Sequence, residues 1–144
     1  GCGEKTFGRE TAATTKGFVM EFIHAPKACA SVGPYSHCVK AGSTYYLCGQ
    51  VPFHPVTGEV VGNDMKEQAV QTLANMKAVL EAAGLAVTDI AKTTVFVTNM
   101  DDFAAFNEVY AAFMGEHRPA RVCVEVSNIA HGCLLEMDAI CFKE

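Results

Sequence analysis

The stretch at 64–83 sets the first constraint on the fold. There Met65, Ala69, Leu73, Met76, Leu80 and Ala83 recur at spacings of three and four, while Lys66, Glu67, Gln71 and Lys77 fall off that stripe. Such spacing lines one face of an α-helix, and a helix with a single apolar stripe has to lie against an apolar layer. Asn63 or Asp64 can cap its start, and Gly84 ends it. The layer it needs is supplied by strands. Residues 18–24, 36–40, 44–48, 90–98, 121–127 and 134–142 are rich in β-branched and aromatic residues and bounded by turn signals. A second helix is expected at 103–114, capped by Asp101, with Phe103, Phe106, Tyr110 and Phe113 on one face and Gly115 as its stop. The order β-β-β-α-β-α-β-β, without repeat or linker, predicts an α+β fold: one mixed β-sheet with two helices on one face. Tyr45-Tyr46-Leu47-Cys48 and Val95-Phe96-Val97 are apolar at successive positions. Strands of that kind are buried on both sides, so the face without helices is expected to meet another subunit.

Length and charge narrow the function. A chain of 144 residues suits one domain, expected at 18–144, preceded by a polar, Gly- and Thr-rich flexible leader at 1–17 left by expression or by a trimmed targeting segment. A net charge of -5, with no Trp and no interleaving of aromatics with Lys and Arg, argues against nucleic acid as a partner. No run approaches the roughly 18 apolar residues of a membrane span. The seven cysteines are odd in number, and Cys48, Cys123 and Cys141 sit in apolar runs. That pattern predicts reduced thiols in a cytoplasmic protein, with the mitochondrion as the alternative compartment. No CxxC or HxxxH pair occurs, and His131-Gly132-Cys133 is the nearest approach, so no metal is expected. His37, His54 and His131 are read as loop or surface residues and Arg118 as a solvated charge.

The chemistry is expected in the two closing strands. In Arg121-Val122-Cys123-Val124-Glu125-Val126 the valines take one face, and Arg121, Cys123 and Glu125 the other. Further on, Glu136 and Asp138 share a face. Antiparallel pairing with Cys123 opposite Glu136 and Arg121 opposite Asp138 would join the two polar faces, whereas a slip of one residue would set them against valines. A guanidinium fork can hold a carboxylate bidentately, Glu136 can hold a water, and Cys123 can support it. A water placed beside a bound C=N carbon is what hydrolytic deamination requires. The same spacing also permits a purely structural role, with Arg121 paired to Asp138 or Glu136 and Cys123 a small buried filler.

A family resemblance bears on that choice. The stretch 119–126 (PARVCVEV), followed by Leu135-Glu136-Met137-Asp138-Ala139, is similar to the closing signature of the RidA family, also called YjgF or L-PSP. Gly33-Pro34-Tyr35-Ser36, Gly49-Gln50-Val51-Pro52, the block at 55–60, Ala82-Ala83-Gly84-Leu85, the block at 92–97 and that at 102–110 resemble further family blocks in the same order. The match covers about residues 19–143. The resemblance implies a chorismate-mutase-like fold, a homotrimer with active sites between subunits, no cofactor, and hydrolysis of 2-aminoacrylate-type enamines and imines to ammonia and 2-oxo acids. It implies that Arg121 binds the substrate carboxylate, that Cys123 and Glu136 position the water, and that Tyr35, Gly49 and Asn107 line the cleft, with Tyr35 from across the interface.

The chain also departs from the family. Cys48 stands where the family has Ser, Ile129-Ala130 replaces Leu-Pro, and the stretch from His117 to Arg121 is short. Two other function classes stay open on sequence alone. One is an endoribonuclease or translation inhibitor, against which the acidic balance counts. The other is a non-catalytic carboxylate-binding or chaperone-like protein, which an intact cleft would equally serve.

Overall fold

The structure, a computed structural model, describes residues 10–15 and 18–144. Its strands are β1 (Glu10–Thr15), β2 (Phe18–Ile23), β3 (Cys38–Ala41), β4 (Thr44–Gln50), β5 (Ile90–Val97), β6 (Ala120–Glu125) and β7 (Leu135–Phe142). Helix α1 (Met65–Ala82) follows β4, and α2 (Phe103–Met114) links β5 to β6. The described strands form one seven-stranded sheet in the order β1-β2-β3-β4-β7-β5-β6. The α+β architecture is therefore the expected one, with one strand more. Within the stretch 1–17 read as a leader, Glu10–Thr15 pairs antiparallel with β2, Glu10 opposite Phe22. An open sheet edge accepts a strand through its backbone, whatever the periodicity of the side chains. The rest of that stretch, Cys2 included, lies outside the described residues.

The α1 stripe does what its spacing requires. Met65, Ala69, Leu73, Met76, Leu80 and Ala83 are all buried, in one cluster with Tyr45, Leu47, Val95, Val97, Leu135, Met137, Ala139 and Cys141 from one face of the sheet. Asp64 Oδ1 caps the helix by accepting from the Glu67 N–H at 2.9 Å, and Gly84 follows its end at φ 74°. The expected Asp101 cap of α2 does not form: Asp102 stands at the N-cap without a side-chain bond, and Asn99 Oδ1 instead accepts from the Asp101 N–H at 2.9 Å at the start of a 3-10 turn, Met100–Asp102, that leads into the helix. Phe106 and Tyr110 are buried with their ring centroids 5.4 Å apart.

Polar residues on α1 fasten the loops. Gln68 and Asn75 are buried beside the apolar stripe. Asn75 Nδ2 donates to the carbonyls of Val51 and Phe53, at 2.9 Å each. Gln68 donates to the Gly62 carbonyl at 3.1 Å and accepts from the Leu134 N–H at 2.8 Å. Asn75→Ala should therefore cost about 1–3 kcal/mol in urea unfolding, because a buried and a part-buried carbonyl lose their donor. An unchanged midpoint would show that these bonds contribute nothing to holding the 51–53 segment.

The expected pairing of the two closing strands does not occur. β5 lies between them: β6 runs parallel to β5, and β7 antiparallel to it. The parallel β5–β6 pair needs a crossover, and α2 is that crossover. The consequence is a change of faces. Arg121 pairs with Thr93 and Cys123 with Val95, in rows that continue to Ala139 and Met137. Those rows point toward the helices. Glu136 is in the row of Phe96 and Val124, and Asp138 in the row of Thr94 and Val122, on the opposite face. The helix-free face carries Tyr46, 49% exposed, and Phe142, 53% exposed, together with exposed Met20, Val122 and Val124. No helix among the described residues is long and apolar enough to cross a membrane.

Candidate active site

The expected site residues fall into two groups, one on each face of the sheet. The first is built on the edge strand β6 and on α2. Arg121 lies with its guanidinium carbon 4.9 Å from the Tyr110 ring centroid, 5.4 Å from that of Phe103 and 5.9 Å from that of Phe106. Aromatic faces attract a cation through their quadrupoles, and three of them close to one guanidinium restrict where it can lie. Nη1 donates to Asn107 Oδ1 at 2.8 Å, so the partner is a neutral amide and not a carboxylate. Tyr110 is itself held, its hydroxyl 2.8 Å from Thr93 Oγ1. The simple ion pair with Asp138 or Glu136 that the sequence also permitted is not formed, since both acids are on the other face. Cys123 stands two residues along β6; burial pushes its thiol up, opposed by the nearby Arg121 charge.

The second group surrounds Glu136 on β7. Burial raises its carboxyl above the ordinary value, and the Asp138 charge raises it further. Gly49 fits against it: a Cβ on Gly49 would stand 2.7 Å from Glu136 Oε2. A cavity of about 90 Å³ beside Glu136 is lined by Tyr35, His37, Cys48, Gly49 and Gln50, among others. Cys48 accepts from Gln50 Nε2 at 3.1 Å, and burial pushes its thiol up to about 11, so it is neutral at physiological pH. Tyr35, exposed in the loop before β3, accepts from the Val32 N–H at 3.4 Å. Glu136 also borders a second recess with Phe96, Val126 and Ile129.

The two groups cannot share a small ligand within one chain. They are on opposite faces, two strand spacings apart, or about 10 Å laterally, and offset further along the strands. Glu136 and Gly49 thus go with Tyr35, and Arg121 and Cys123 go with Asn107. His37, read as a loop or surface residue, is buried, as is Gln50. For Gln50 the signal was its place in the Gly-Gln-Val-Pro block; for His37 the sequence carried no signal beyond its place next to the β3 strand.

The family model described as endoribonuclease L-PSP matches residues 24–143. The chain belongs to this family. Among L-PSP relatives, a RutC family protein of Pyrococcus horikoshii is 48% identical over 126 residues, covering 88% of this chain and 100% of that one. The 2-iminobutanoate/2-iminopropanoate deaminase of Escherichia coli K12 is 46% identical over 124 residues, covering 84% and 96%. Among solved L-PSP structures, E. coli TdcF with bound serine superposes with a TM-score of 0.81 at 42% identity, covering 85% of this chain and 98% of that one. The RidA protein of Psychrobacter superposes with a TM-score of 0.80 at 41% identity, covering 84% and 98%.

Proposed function

We propose that this L-PSP protein hydrolyses 2-aminoacrylate-type enamines and imines at a site completed by two copies of the chain. The guanidinium of Arg121 carries the reading. It lies against three rings, is held by an amide, and is paired with no acid among the described residues, which leaves its charge and fork available to a substrate carboxylate. One copy supplies Arg121, Cys123 and Asn107; the next supplies Glu136, Gly49 and Tyr35. The enamine tautomerises to the imine by taking a proton on its terminal carbon. Water then adds to the C=N carbon, one of its protons passing to nitrogen, and the carbinolamine breaks its C–N bond as its hydroxyl proton moves to the leaving nitrogen and the C=O forms, giving ammonia and a 2-oxo acid. Ionised Glu136 accepts a hydrogen bond from the attacking water and orients it. No cofactor is needed for these steps.

The deaminase name of the E. coli relative supports this chemistry, and serine bound to TdcF supports a small carboxylate-bearing ligand. The test is release of ammonia and 2-oxo acid from freshly generated 2-aminoacrylate. Stable binding of a 2-oxo acid without any release would overturn the catalytic part and leave a carboxylate-binding protein. RNA cleavage lost in Arg121→Ala would favour the nucleolytic reading instead.

The assembly is proposed as a homotrimer. The exposed Tyr46, Phe142, Val122 and Val124 on the helix-free face need a cover, and a two-sided site needs a neighbour. Light scattering at micromolar concentration is expected to give three times the chain mass of 15.4 kDa. A mass equal to one chain would overturn the shared site as well as the trimer.

A further inference from the structure

His37 is 2% exposed at the wall of the Glu136 cavity, and it ties three segments together. Its Nδ1 accepts from the Ala25 N–H at 2.9 Å. Its Nε2 is 2.8 Å from the Cys29 carbonyl. Its own carbonyl accepts from the Cys48 N–H at 2.9 Å, beside Gly49. One ring nitrogen must accept and the other must donate, which a neutral imidazole protonated at Nε2 alone can do. Tyr35 is two residues upstream, in the same loop that these bonds fasten. We infer that His37 is a positioning residue, holding the Tyr35 loop against the Glu136 cavity while its ring is neutral and releasing it when the ring is protonated. This rests on the deaminase reading for its kinetic consequences, but not for its structural ones.

His24, after β2, lies against the ring, and the titratable groups lining the cavity that His37 walls are Cys29 and Tyr35 in the loop, Cys48 at the end of β4 and Glu136 on β7. The His24 ring centroid is 4.6 Å from that of His37. Burial lowers the His37 pKa from 6.5, the Cys29 carbonyl opposes this, and His24 lowers it further. A second proton on Nδ1 would face the Ala25 N–H, donor against donor. Because the folded state binds that proton less readily than the unfolded chain, the anchoring is complete above pH 6.5 and lost as pH falls below it through the folded-state value.

Two variants test this. His37→Gln offers one acceptor and one donor but does not titrate; His37→Leu keeps the bulk and offers neither. At pH 8, His37→Leu is expected to raise KM about five- to tenfold with little change in kcat, because both ring hydrogen bonds are lost. His37→Gln is expected to restore most of it. As pH falls below 6.5, KM should rise in the natural protein and stay flat in His37→Gln, while the acid loss of kcat that belongs to Glu136 appears in both. Hydrogen exchange of the 24–37 segment should accelerate over the same pH range in the natural protein only. Superimposable exchange and KM profiles for the natural protein and His37→Gln would overturn the inference, as would a folded His37→Leu protein with unchanged KM. Absence of any hydrolysis would overturn the deaminase reading alone, and the exchange measurement would still decide the role of His37.

Discussion

Arg121→Ala is expected to remove nearly all hydrolysis of 2-aminoacrylate while the protein stays folded and assembled. The guanidinium packs on the α2 rings and bonds to Asn107, so its loss leaves that helix face intact and takes away the carboxylate partner. Removing one member of a desolvated charge pair costs about 2–5 kcal/mol, which is roughly 30- to several-thousand-fold in affinity. Arg121→Lys should restore little, because an ammonium has no planar fork to match a carboxylate or to stack on Tyr110, Phe103 and Phe106. Glu136→Gln should slow turnover and leave product binding nearly unchanged. Since the two residues are proposed to meet across an interface, Arg121→Ala and Glu136→Gln subunits, each strongly impaired alone, should complement one another. In random trimers of the two, each mixed trimer holds one intact site, giving about a quarter of the natural activity by cyclic symmetry. No recovered activity after subunit exchange would place both residues in a site within one chain, and the face assignment would fail. Full activity in folded Arg121→Ala would reduce Arg121 to a packing residue.

The second large effect is expected from a single methyl group. In Gly49→Ala the new Cβ would stand 2.7 Å from Glu136 Oε2, 3.0 Å from Cδ and 3.2 Å from Cγ. The obstacle is the end of a movable side chain, so the fold survives and Glu136 shifts. A displacement near 1 Å in a group that orients the nucleophile costs about a hundredfold in kcat. The pH profile gives a second readout. Glu136 acts ionised, and its carboxyl titrates above the ordinary range because of burial and the Asp138 charge. Activity is therefore present above that raised value and lost as pH falls through it. Pushing Glu136 toward solvent in Gly49→Ala should move this acid limb to lower pH. Unchanged kcat and an unchanged limb would show that Glu136 does not hold the water.

The sequence set out the elements with good fidelity, and for clear reasons. The α1 stripe, Asp64 as cap and Gly84 as stop are local properties, decided by residues within a few turns of one another. The alternation along β6 and β7 was also local, and Arg121 with Cys123 on one face and Glu136 with Asp138 on another strand's face are as read. What failed was the assumption that strands adjacent in sequence pair with each other. Glu10–Thr15 was missed because an added edge strand is recruited by backbone hydrogen bonds, which leave no pattern in side chains. His37 was misread because its burial depends on the 24–37 loop folding over it, a contact no spacing rule reports.

By itself, then, the sequence determined which residues form helices and strands, which faces are apolar, and which residue types are available for carboxylate recognition and water activation. The tertiary structure alone decided how these come together. By inserting β5 between β6 and β7 it turned Arg121 and Cys123 toward α2 and Glu136 toward Gly49, on opposite faces. The physical reason is that strand order is a nonlocal choice, fixed by where the α2 crossover can pack its Phe106 and Tyr110 face, whereas side-chain alternation within a strand is fixed by the pleat. A site whose halves lie on two faces of one sheet is legible as residues in the chain, and as a site only once the sheet is assembled.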